Sequence, residues 1–233
     1  MSNRKIIKKI QYALKLELAS PLCVASGMGE TTDKDVQRDF NGNVFIPGSS
    51  MAGAMRQYLL ESAKRTTKDV DMLFGYSQDG NGTMSSLQIS DIYFTSNTKT
   101  KVRDNVKLKN KIAVDNAKFD MEIIEQGAVC ESFFLLTIRE EDTNNKANER
   151  KTKNEAIEVQ EEIENEIIEI QQETENQTQE TKNQQTESKM EEMLEDIIFG
   201  IEKGDICLGS NKTRGFGQLK IQRENHKLQI YKT

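Results

Sequence analysis

Hydrophobic and polar residues alternate at the start of the chain and predict a long first β-strand. Between residues 5 and 21, Leu14, Leu16 and Leu18 alternate with Lys15 and Glu17. Successive side chains of a strand point to opposite faces of the sheet, so this pattern gives one buried face and one face in water. The pattern predicts a sheet that is packed on one side only.

The same patterns predict the remaining elements. Apolar or alternating runs predict strands at 44–46, 86–94, 128–138 and 227–231, with a turn at 79–82. The last strand is expected to pair back across a turn at 224–226, which holds the single histidine. Helical spacing predicts one helix over 51–61, capped by Ser49 and Ser50, and another over 190–201, ended by Gly204.

Charge is divided unevenly along the chain. Residues 140–195 hold 18 of the 38 acidic residues and 6 of the 32 basic ones, a local balance of −12. The rest of the chain therefore carries 26 basic and 20 acidic residues, a balance of +6, although the whole chain is at −6. The overall charge thus hides a basic folded portion that suits an anionic partner.

The acidic segment is predicted to be an insertion into the folded domain. Apolar residues at 156, 159, 163, 167 and 170 have helical spacing, so the middle of the segment is expected to form an amphipathic helix. Residues 171–188 are polar and of low complexity, and disorder is the prediction there. The segment is either a docking arm for a protein partner or a tolerated surface excursion.

A basic segment at 99–120 contains seven lysines and arginines among weakly alternating apolar residues. It predicts an extended hairpin with little apolar surface to bury. Because such an arm gains most by lying on an acidic surface, nucleic acid is the expected partner.

Two loops carry candidate chemistry. The polar loop at 22–43 holds Asp33, Asp35 and Asp39, which are either solvated carboxylates or ligands of a divalent cation. The segment 204–221 predicts a strand, a glycine-rich turn and a second strand. Backbone N–H groups of such a turn, with Lys212 and Arg214 beside them, suit a phosphate. An ordinary surface hairpin is the alternative.

The cysteines and the hydropathy of the chain indicate the cellular compartment in which we expect it. Cys23, Cys130 and Cys207 are scattered within or beside apolar runs, so we expect buried, reduced thiols. No apolar run approaches membrane-spanning length, and the N-terminus leads into an alternating strand. We expect a soluble cytoplasmic protein with no membrane partner.

The order strand, helix, strand, basic arm, strand, helix, strand is that of the split βαβ fold. The predicted fold class is α+β: a ferredoxin-like or RRM-like core with a basic thumb hairpin and an acidic, partly helical or disordered insertion. The predicted domain comprises 1–139 and 189–233, with the thumb at about 99–120 and the insertion at 140–188.

Three motifs carry a family resemblance. They are IPGSSMAGAMR at 46–56, LFG at 73–75 and LGSNKTRGFG at 208–217. In this order they resemble the RAMP superfamily of CRISPR-associated proteins. With the basic segment, the spacing is most similar to the Cas7 (Csm3-like) backbone subunit of type III effector complexes. The resemblance covers most of 5–139 and 190–231 but not the acidic insertion.

The resemblance implies a subunit that polymerises along a guide RNA (crRNA), meets target RNA and assembles with other effector subunits, including further Cas7-like copies. The basic arm would be a thumb that interrupts the guide–target duplex. The RNA-binding residues implied are Ser49, Ser50, Arg56, Arg103, Lys107, Gly209, Ser210, Lys212, Arg214, Gly215 and Gly217. Relatives often carry lysine where this chain has Ala52 and Ala54, which shifts that contact to Ser49, Ser50 and Arg56.

In active relatives, a loop aspartate before the Pro-Gly-Ser-Ser helix supports metal-dependent cleavage of target RNA. The matching residue here is Asp33, with Asp35 as a near neighbour. The implied cofactor is Mg²⁺ or a similar divalent cation, held by Asp33. Two alternatives remain: a non-catalytic structural subunit, and a stand-alone guide-processing endoribonuclease. The second commonly uses a histidine as general acid or base, and the one histidine here lies in the predicted turn.

Overall fold

The structure is a computed structural model. It describes residues 5–25, 27, 31–79, 81–95, 98–109, 112–140, 161–222 and 227–232. Within these ranges, the side chains at 81, 107–109, 112–117, 161–180 and 227–232 are not described. The predicted turn at 224–226, the apolar positions 156 and 159, and the Lys107 side chain therefore lie outside the described part.

The elements follow the predicted α+β order. The strands are β1 (Ile6–Leu18), β2 (Phe45–Ile46), β3 (Tyr76–Gln78), β4 (Asn81–Thr83), β5 (Leu87–Ile89), β6 (Ile92–Phe94), β7 (Thr100–Lys109), β8 (Ile112–Ile124), β9 (Val129–Arg139), β10 (Leu219–Ile221) and β11 (Lys227–Lys232). The helices are α1 (Gly48–Glu61), α2 (Thr67–Phe74) and α3 (Glu161–Lys203). A short 3₁₀ helix spans Lys212–Arg214.

The long first strand organises the main antiparallel sheet. Strand order is β10-β1-β9-β6-β2, with β11 also on β1 and β5 also on β9. The register places Gln11 opposite Leu135 and Lys15 opposite Glu131. Even-numbered β1 residues such as Ile10 and Leu14 are buried, so one face carries the core and the other does not.

The helices cover that buried face. Met51, Met55 and Leu59 of α1 are fully buried, and Leu194 and Ile197 of α3 join the same core. Burial of this apolar stripe is the main favourable term that holds α1 and α3 on the sheet. None of the described helices is both long and apolar enough to span a membrane.

The basic segment forms the predicted hairpin. Strands β7 and β8 pair in a sheet of their own, from Thr100 opposite Ile124 to Lys109 opposite Ile112. The base of β8 is firmly held, because Met121, Ile123 and Ile124 are fully buried. The arm therefore projects from a packed base.

Two strand predictions are wrong in detail. Residues 86–94 form β5 and β6 rather than one strand, because the chain bends at Ser90 and Asp91, where the Asp91 carboxylate accepts the Gly48 N–H at 2.8 Å. Strand β11 pairs with β1 over 8–13 instead of pairing back on β10. Since β10 pairs with Leu16 to Leu18, both lie along one edge of β1.

The prediction of disorder at 171–188 is wrong, and α2 was not predicted. Helix α3 runs through 43 residues, about 65 Å at 1.5 Å per residue, and crosses the predicted boundary at 188. Glutamate, glutamine and lysine are good helix formers, so a helix nucleated on the core propagates through them at low cost. Helix α2 begins at a Thr66 cap, whose hydroxyl accepts the Asp69 N–H at 3.2 Å.

Ion pairs hold α3 beside the sheet. Lys8 Nζ lies 2.5 Å from a Glu187 oxygen and 2.6 Å from a Glu191 oxygen. Desolvation opposes the charge of this ammonium, but the hydrogen bonds that it donates to both glutamates, with their negative charge, outweigh desolvation and raise the Lys8 pKa. Arg65 Nε lies 2.7 Å from Asp196 Oδ2. These contacts fix the segment of α3 that leads into the core.

Candidate nucleic-acid interface

Close backbone packing accounts for two glycines of the glycine-rich loop. A Cβ at Gly209 would lie 2.2 Å from the Cys23 carbonyl oxygen, and one at Gly217 would lie 1.9 Å from that of Leu208. Both residues have positive φ, +72° and +80°. Gly215 also has positive φ, +81°, but its Cβ would meet nothing within 4 Å. Gly209 and Gly217 thus build the loop, and Gly215 faces open space.

The loop uses several of its N–H groups internally. Ser210 N–H donates to Cys23 O at 2.8 Å, and Gly217 N–H donates to Pro21 O at 2.9 Å. Arg214 and Gly215 N–H groups donate to carbonyls within the same turn. These N–H groups therefore do not form the predicted anion site. The positive charge comes instead from the Lys212 and Arg214 side chains, which are exposed on the 3₁₀ helix.

The thumb base contacts this loop. The Arg103 guanidinium lies over the Phe216 ring, with its carbon 5.7 Å from the centroid. Asn211 Nδ2 donates to Met121 Sδ at 3.4 Å. Met121 packs with Cys23 in a small buried cluster against which Phe216 rests. The structure thereby brings Arg103 beside Lys212 and Arg214, which are more than 100 residues away in the chain.

The predicted carboxylate loop is anchored on the same thumb strand. The Asp33 N–H donates to Asp120 Oδ1 at 2.8 Å, and the Asp120 N–H donates to Asp33 Oδ2 at 3.0 Å. Glu122 N–H donates to Lys34 O at 2.9 Å, and its carboxylate accepts from Arg38 Nη2 at 2.5 Å. Two carboxylates are thus fixed next to each other at the thumb base, with Asp33 exposed.

Asp35 and Asp39 shape the loop. Asp35 accepts the Thr32 N–H at 2.9 Å and the Thr32 hydroxyl at 2.7 Å. Asp39 accepts the Asn43 side-chain amide at 2.9 Å and the Asn41 N–H at 2.9 Å. Hydrogen bonds from Asn43 and Asn41 hold the Asp39 pKa below its ordinary value. Side chains occupied in this way leave Asp33 as the loop carboxylate that faces solvent.

The N-terminus of α1 is not capped by the residues that the sequence predicted. Pro47 is the N-cap residue of α1, without a side-chain cap, and Ser49 and Ser50 lie inside the first turn, so the predicted serine cap is wrong. Asp91 takes over part of that role because its carboxylate accepts the Gly48 N–H. A carboxylate already present at this helix end competes with a phosphate there. Ser49 is exposed and remains available.

Arg56 has a structural role in this molecule. Its guanidinium forms an ion pair with Asp71 of α2 and donates to the Gly75 carbonyl at 3.0 Å. These bonds join α1 to α2 and to the bend after α2. The RNA contact expected of Arg56 stays a prediction, since its guanidinium is partly exposed beside these partners.

An open cleft separates α1 from the glycine-rich loop. Its volume is about 280 Å³, and it is lined by Tyr58 and Glu61 from α1 and by Asp205, Cys207 and Lys212 from the other side. Burial raises the Cys207 pKa, so the thiol stays protonated near neutral pH. The cleft carries both charge signs, and Lys212 stands at its edge with the 3₁₀ helix.

Few side chains that could bind a metal lie together in the described part of the chain. There, no group of three or more His, Cys, Asp or Glu side chains could hold an ion. Asp33 and Asp120 lie together, and two carboxylates are a ligand set compatible with Mg²⁺, which commonly takes one or two protein carboxylates and completes its shell with water and phosphate oxygens. All three cysteines are free; Cys23 and Cys130 are buried as predicted, whereas Cys207 is only half-buried.

The site combines predicted and unpredicted residues. Arg103 contacts the loop that carries Lys212 and Arg214 through the Phe216 ring, and Asp33 lies on the thumb strand β8 beside Asp120. Sequence reasoning missed Asp120 and Phe216 as partners. Asp120 ends the basic segment and Phe216 lies between two loop glycines, but neither position carries a periodic signal.

Comparison with known proteins places this geometry in a family. The family model of the RAMP superfamily matches residues 15–220, which is most of the chain. The chain belongs to the RAMP superfamily.

A solved structure has the same fold at low sequence identity. It is a chain of the type III-B Cmr-beta complex bound to cognate target RNA, with a TM-score of 0.54 and 11% identity. The match covers 97% of the present chain and 61% of that chain, so the present chain spans less than two thirds of its length. A search of curated proteins found no match.

Proposed function

We propose that this protein is a Cas7-like subunit that binds a guide RNA within a type III CRISPR effector complex. The observation that carries the proposal is the contact between the thumb base and the glycine-rich loop, where Arg103 lies on Phe216 beside Lys212 and Arg214. Family membership supports it, and so does the fold shared with a complex described as bound to target RNA. Further copies and other effector subunits are the proposed protein partners.

Electrostatics supports RNA as the ligand. Outside 140–195 the chain carries a balance of +6. Arg103, Lys212 and Arg214 are exposed, and the Arg103–Phe216 contact joins the thumb base to the loop that carries the other two. Cations that neutralise phosphates release counterions, which gives affinity without sequence preference. This is the behaviour required of a subunit that holds any guide sequence by its backbone, while base pairing selects the target.

Replacement of both loop cations tests the proposal. We expect Lys212→Ala with Arg214→Ala to weaken guide-RNA binding and to reduce the log–log salt slope by about 1.4, at about 0.7 per phosphate contact on a single strand. Filter binding of guide RNA over a salt series measures both quantities. Lys68→Ala with Lys182→Ala removes two exposed cations from α2 and α3 and should leave both unchanged. If the two double variants had the same guide-RNA affinity and the same salt slope, the assignment of Lys212 and Arg214 as RNA contacts would be refuted.

We also propose that Asp33 supports cleavage of target RNA, with Asp120 as a second carboxylate at the metal. The reciprocal hydrogen bonds at 2.8 and 3.0 Å fix both carboxylates at the thumb base. Asp33 and Asp120 would hold Mg²⁺ or a similar cation, which when bound helps to activate the RNA 2′-hydroxyl and offsets charge at the phosphate. Asp120 restrains the Asp33 backbone, and the loop contacts of Glu122 keep the pair in register.

Target cleavage by the assembled complex tests Asp33. Asp33→Asn keeps an oxygen for the Asp120 N–H but removes the charge, and we expect cleavage with magnesium to fall by about 100-fold or more while guide binding is retained. Asp39→Asn, at the far end of the same loop, should cleave normally. Asp120→Asn should raise the magnesium concentration needed for half-maximal cleavage. Normal cleavage by the Asp33→Asn complex would rule out this role.

A non-catalytic subunit is the second candidate. It is favoured by one observation: the described part of the chain has no cluster of three metal-ligating side chains. In that case, the assembled complex would bind target RNA and leave it intact with magnesium present, both with and without the Asp33 substitution.

A further inference from the structure

The face of the main sheet that points away from the helices carries an unexplained apolar surface. On β1 this outer face presents Lys9, Gln11 and Lys15, since the alternate residues are in the core. On β9 it presents Phe133 and Leu135, of which Phe133 is 44% exposed. This face is the opposite side of the sheet from α1 and α3, and the proposed guide-RNA contacts do not use it.

The outer face is concave at one place. A cavity of about 320 Å³ is lined by Gln11 of β1, Gln88 and Ser90 beside β5, and Phe133 and Leu135 of β9. The register explains the arrangement, because Gln11 and Gln88 both pair with Leu135 from its two sides. Ser90, between β5 and β6, donates its N–H to the Phe133 carbonyl at 3.1 Å and lines the cavity together with Phe133. Its size is at the lower end of the range for small-ligand pockets.

A second aromatic platform lies next to the cavity. Tyr93 is 44% exposed and stacks on Phe45, with ring centroids 5.5 Å apart and planes at 21°. Tyr93 pairs with Glu131, two residues before Phe133 along β9. Tyr93 and Phe133 are therefore diagonal neighbours on adjacent strands, about 7–8 Å apart. Two rings on one face at this spacing suit two flat groups in succession.

The polar groups around these rings match a nucleobase. Side-chain amides such as those of Gln11 and Gln88 both donate and accept, as the edge of a base requires. Exposed aromatic rings on a sheet are a recurrent means of stacking unpaired bases. Lys9 and Lys15 stand on the same face and offer positive charge to a phosphate backbone. Two acidic residues, Glu131 opposite Lys15 and Glu17 further along β1, lie on this face as well.

We propose that the outer face of the main sheet is a second RNA site, which accepts one or two unpaired bases. One base stacks on Phe133, with its edge toward Gln11 and Gln88, and its neighbour stacks on Tyr93. The ligand class is single-stranded RNA, and in this respect the inference rests on the proposed function. It adds a site on the opposite side of the sheet from the helices, with stacking in place of charge as its main attraction.

The test uses the full chain and a six-nucleotide uridine RNA. Ultraviolet cross-linking with peptide mapping should place the RNA on the peptides that contain Phe133 and Tyr93. Phe133→Leu keeps an apolar side chain but no ring, and it should weaken binding about 5- to 150-fold, the range for loss of one stacked base, and remove that cross-link. Phe133→Tyr should restore both. Phe199→Leu, at an exposed ring on α3, should bind like the unsubstituted chain.

Three outcomes overturn the inference, two with the Phe133→Leu chain and one with the unsubstituted chain. One is a Phe133→Leu chain that binds and cross-links normally. Another is a change of oligomeric state in RNA-free Phe133→Leu protein without a change in cross-linking, which would make this face a protein interface. The Lys212→Ala, Arg214→Ala chain separates the two proposals: it should lose guide-length RNA but keep the Phe133 cross-link to the six-nucleotide RNA. If the unsubstituted chain bound guide RNA but gave no cross-link at Phe133, the second site would be refuted and the proposed function would stand.

Discussion

At the scale of single residues, the loop glycines serve two purposes that the sequence does not separate. Gly209 and Gly217 permit backbone contacts that no other residue could make, whereas Gly215 supplies only a positive φ in open space. The glycine-rich loop is therefore a packed structural turn that presents cations. Its fit to a ligand depends on Lys212 and Arg214 and on Arg103, held on Phe216.

Alanine substitutions at Gly215 and Gly217 should separate the effect of positive φ from the effect of close backbone packing. Both have φ near +80°, so each substitution costs about 1–2 kcal/mol of left-handed strain. Gly217→Ala also forces a Cβ against the Leu208 backbone, so we expect a total loss above about 3 kcal/mol. Urea unfolding measures the difference. Equal stability of Gly215→Ala and Gly217→Ala would contradict the close-packing account.

At the scale of elements, β8 and α3 each make contacts that their hydrophobic patterns do not predict. Strand β8 forms half of the thumb, carries Asp120 and holds the 31–39 loop by its backbone. Helix α3 supplies buried residues to the core near its C-terminal end, and its N-terminal part is rich in glutamate. Its contacts include Lys189 Nζ with Asp69 Oδ1 at 3.0 Å, which joins α3 to the start of α2.

The Asp69 contact predicts a pH dependence. The Lys189 hydrogen bond holds the Asp69 pKa below its ordinary value. A lowered native pKa means that this stabilisation is present above the unfolded pKa of about 3.9 and is lost as pH falls through the native value. Asp69→Asn should therefore cost about 1 kcal/mol or less at pH 7, because Lys189 is largely exposed, and much less at pH 2. Urea unfolding at both pH values measures this.

A double-mutant cycle provides the control. Lys189→Met should cost a similar amount in the parent chain and almost nothing when Asp69 is already asparagine. Additive losses would show that the two side chains do not interact.

At the scale of the whole molecule, opposite charges occupy different parts of the chain. The segment 141–180 holds 13 acidic and 4 basic residues, a balance of −9, so its removal would change the net charge from −6 to +3. The core residues of α3, from Met190 to Ile201, lie beyond this segment. Folding and the RNA surface can therefore be separated from the acidic segment.

Deletion of 141–180 with a short glycine-serine connection should leave the free energy of unfolding nearly unchanged. RNA affinity at low salt should rise, because the remaining chain is cationic, and the gain should disappear as salt increases. Filter binding at several salt concentrations measures the effect. Weaker RNA binding after the deletion would instead make the segment part of the RNA surface.

Local patterns alone predicted much of this fold. The alternation in β1, the helical spacing in α1 and in the end of α3, and the basic hairpin all appear as predicted, because hydrophobic periodicity directly reports which face of an element is buried. The motif order alone identified the family. Charge segregation is likewise a property of the sequence and needs no structure.

Partners distant in the chain were decided only by the tertiary structure. Arg56 is a cation in the first-helix motif, where an RNA contact was expected. In the structure its guanidinium forms an ion pair with Asp71, which joins α1 to α2. Asp33 gains Asp120, 87 residues away, and Asp91 takes the helix end assigned to Ser49 and Ser50. Hydrogen bonds and ion pairs depend on distances of a few ångströms between segments, which periodicity does not encode. The outer sheet face with Phe133 and Tyr93 likewise emerged only from the register of three strands.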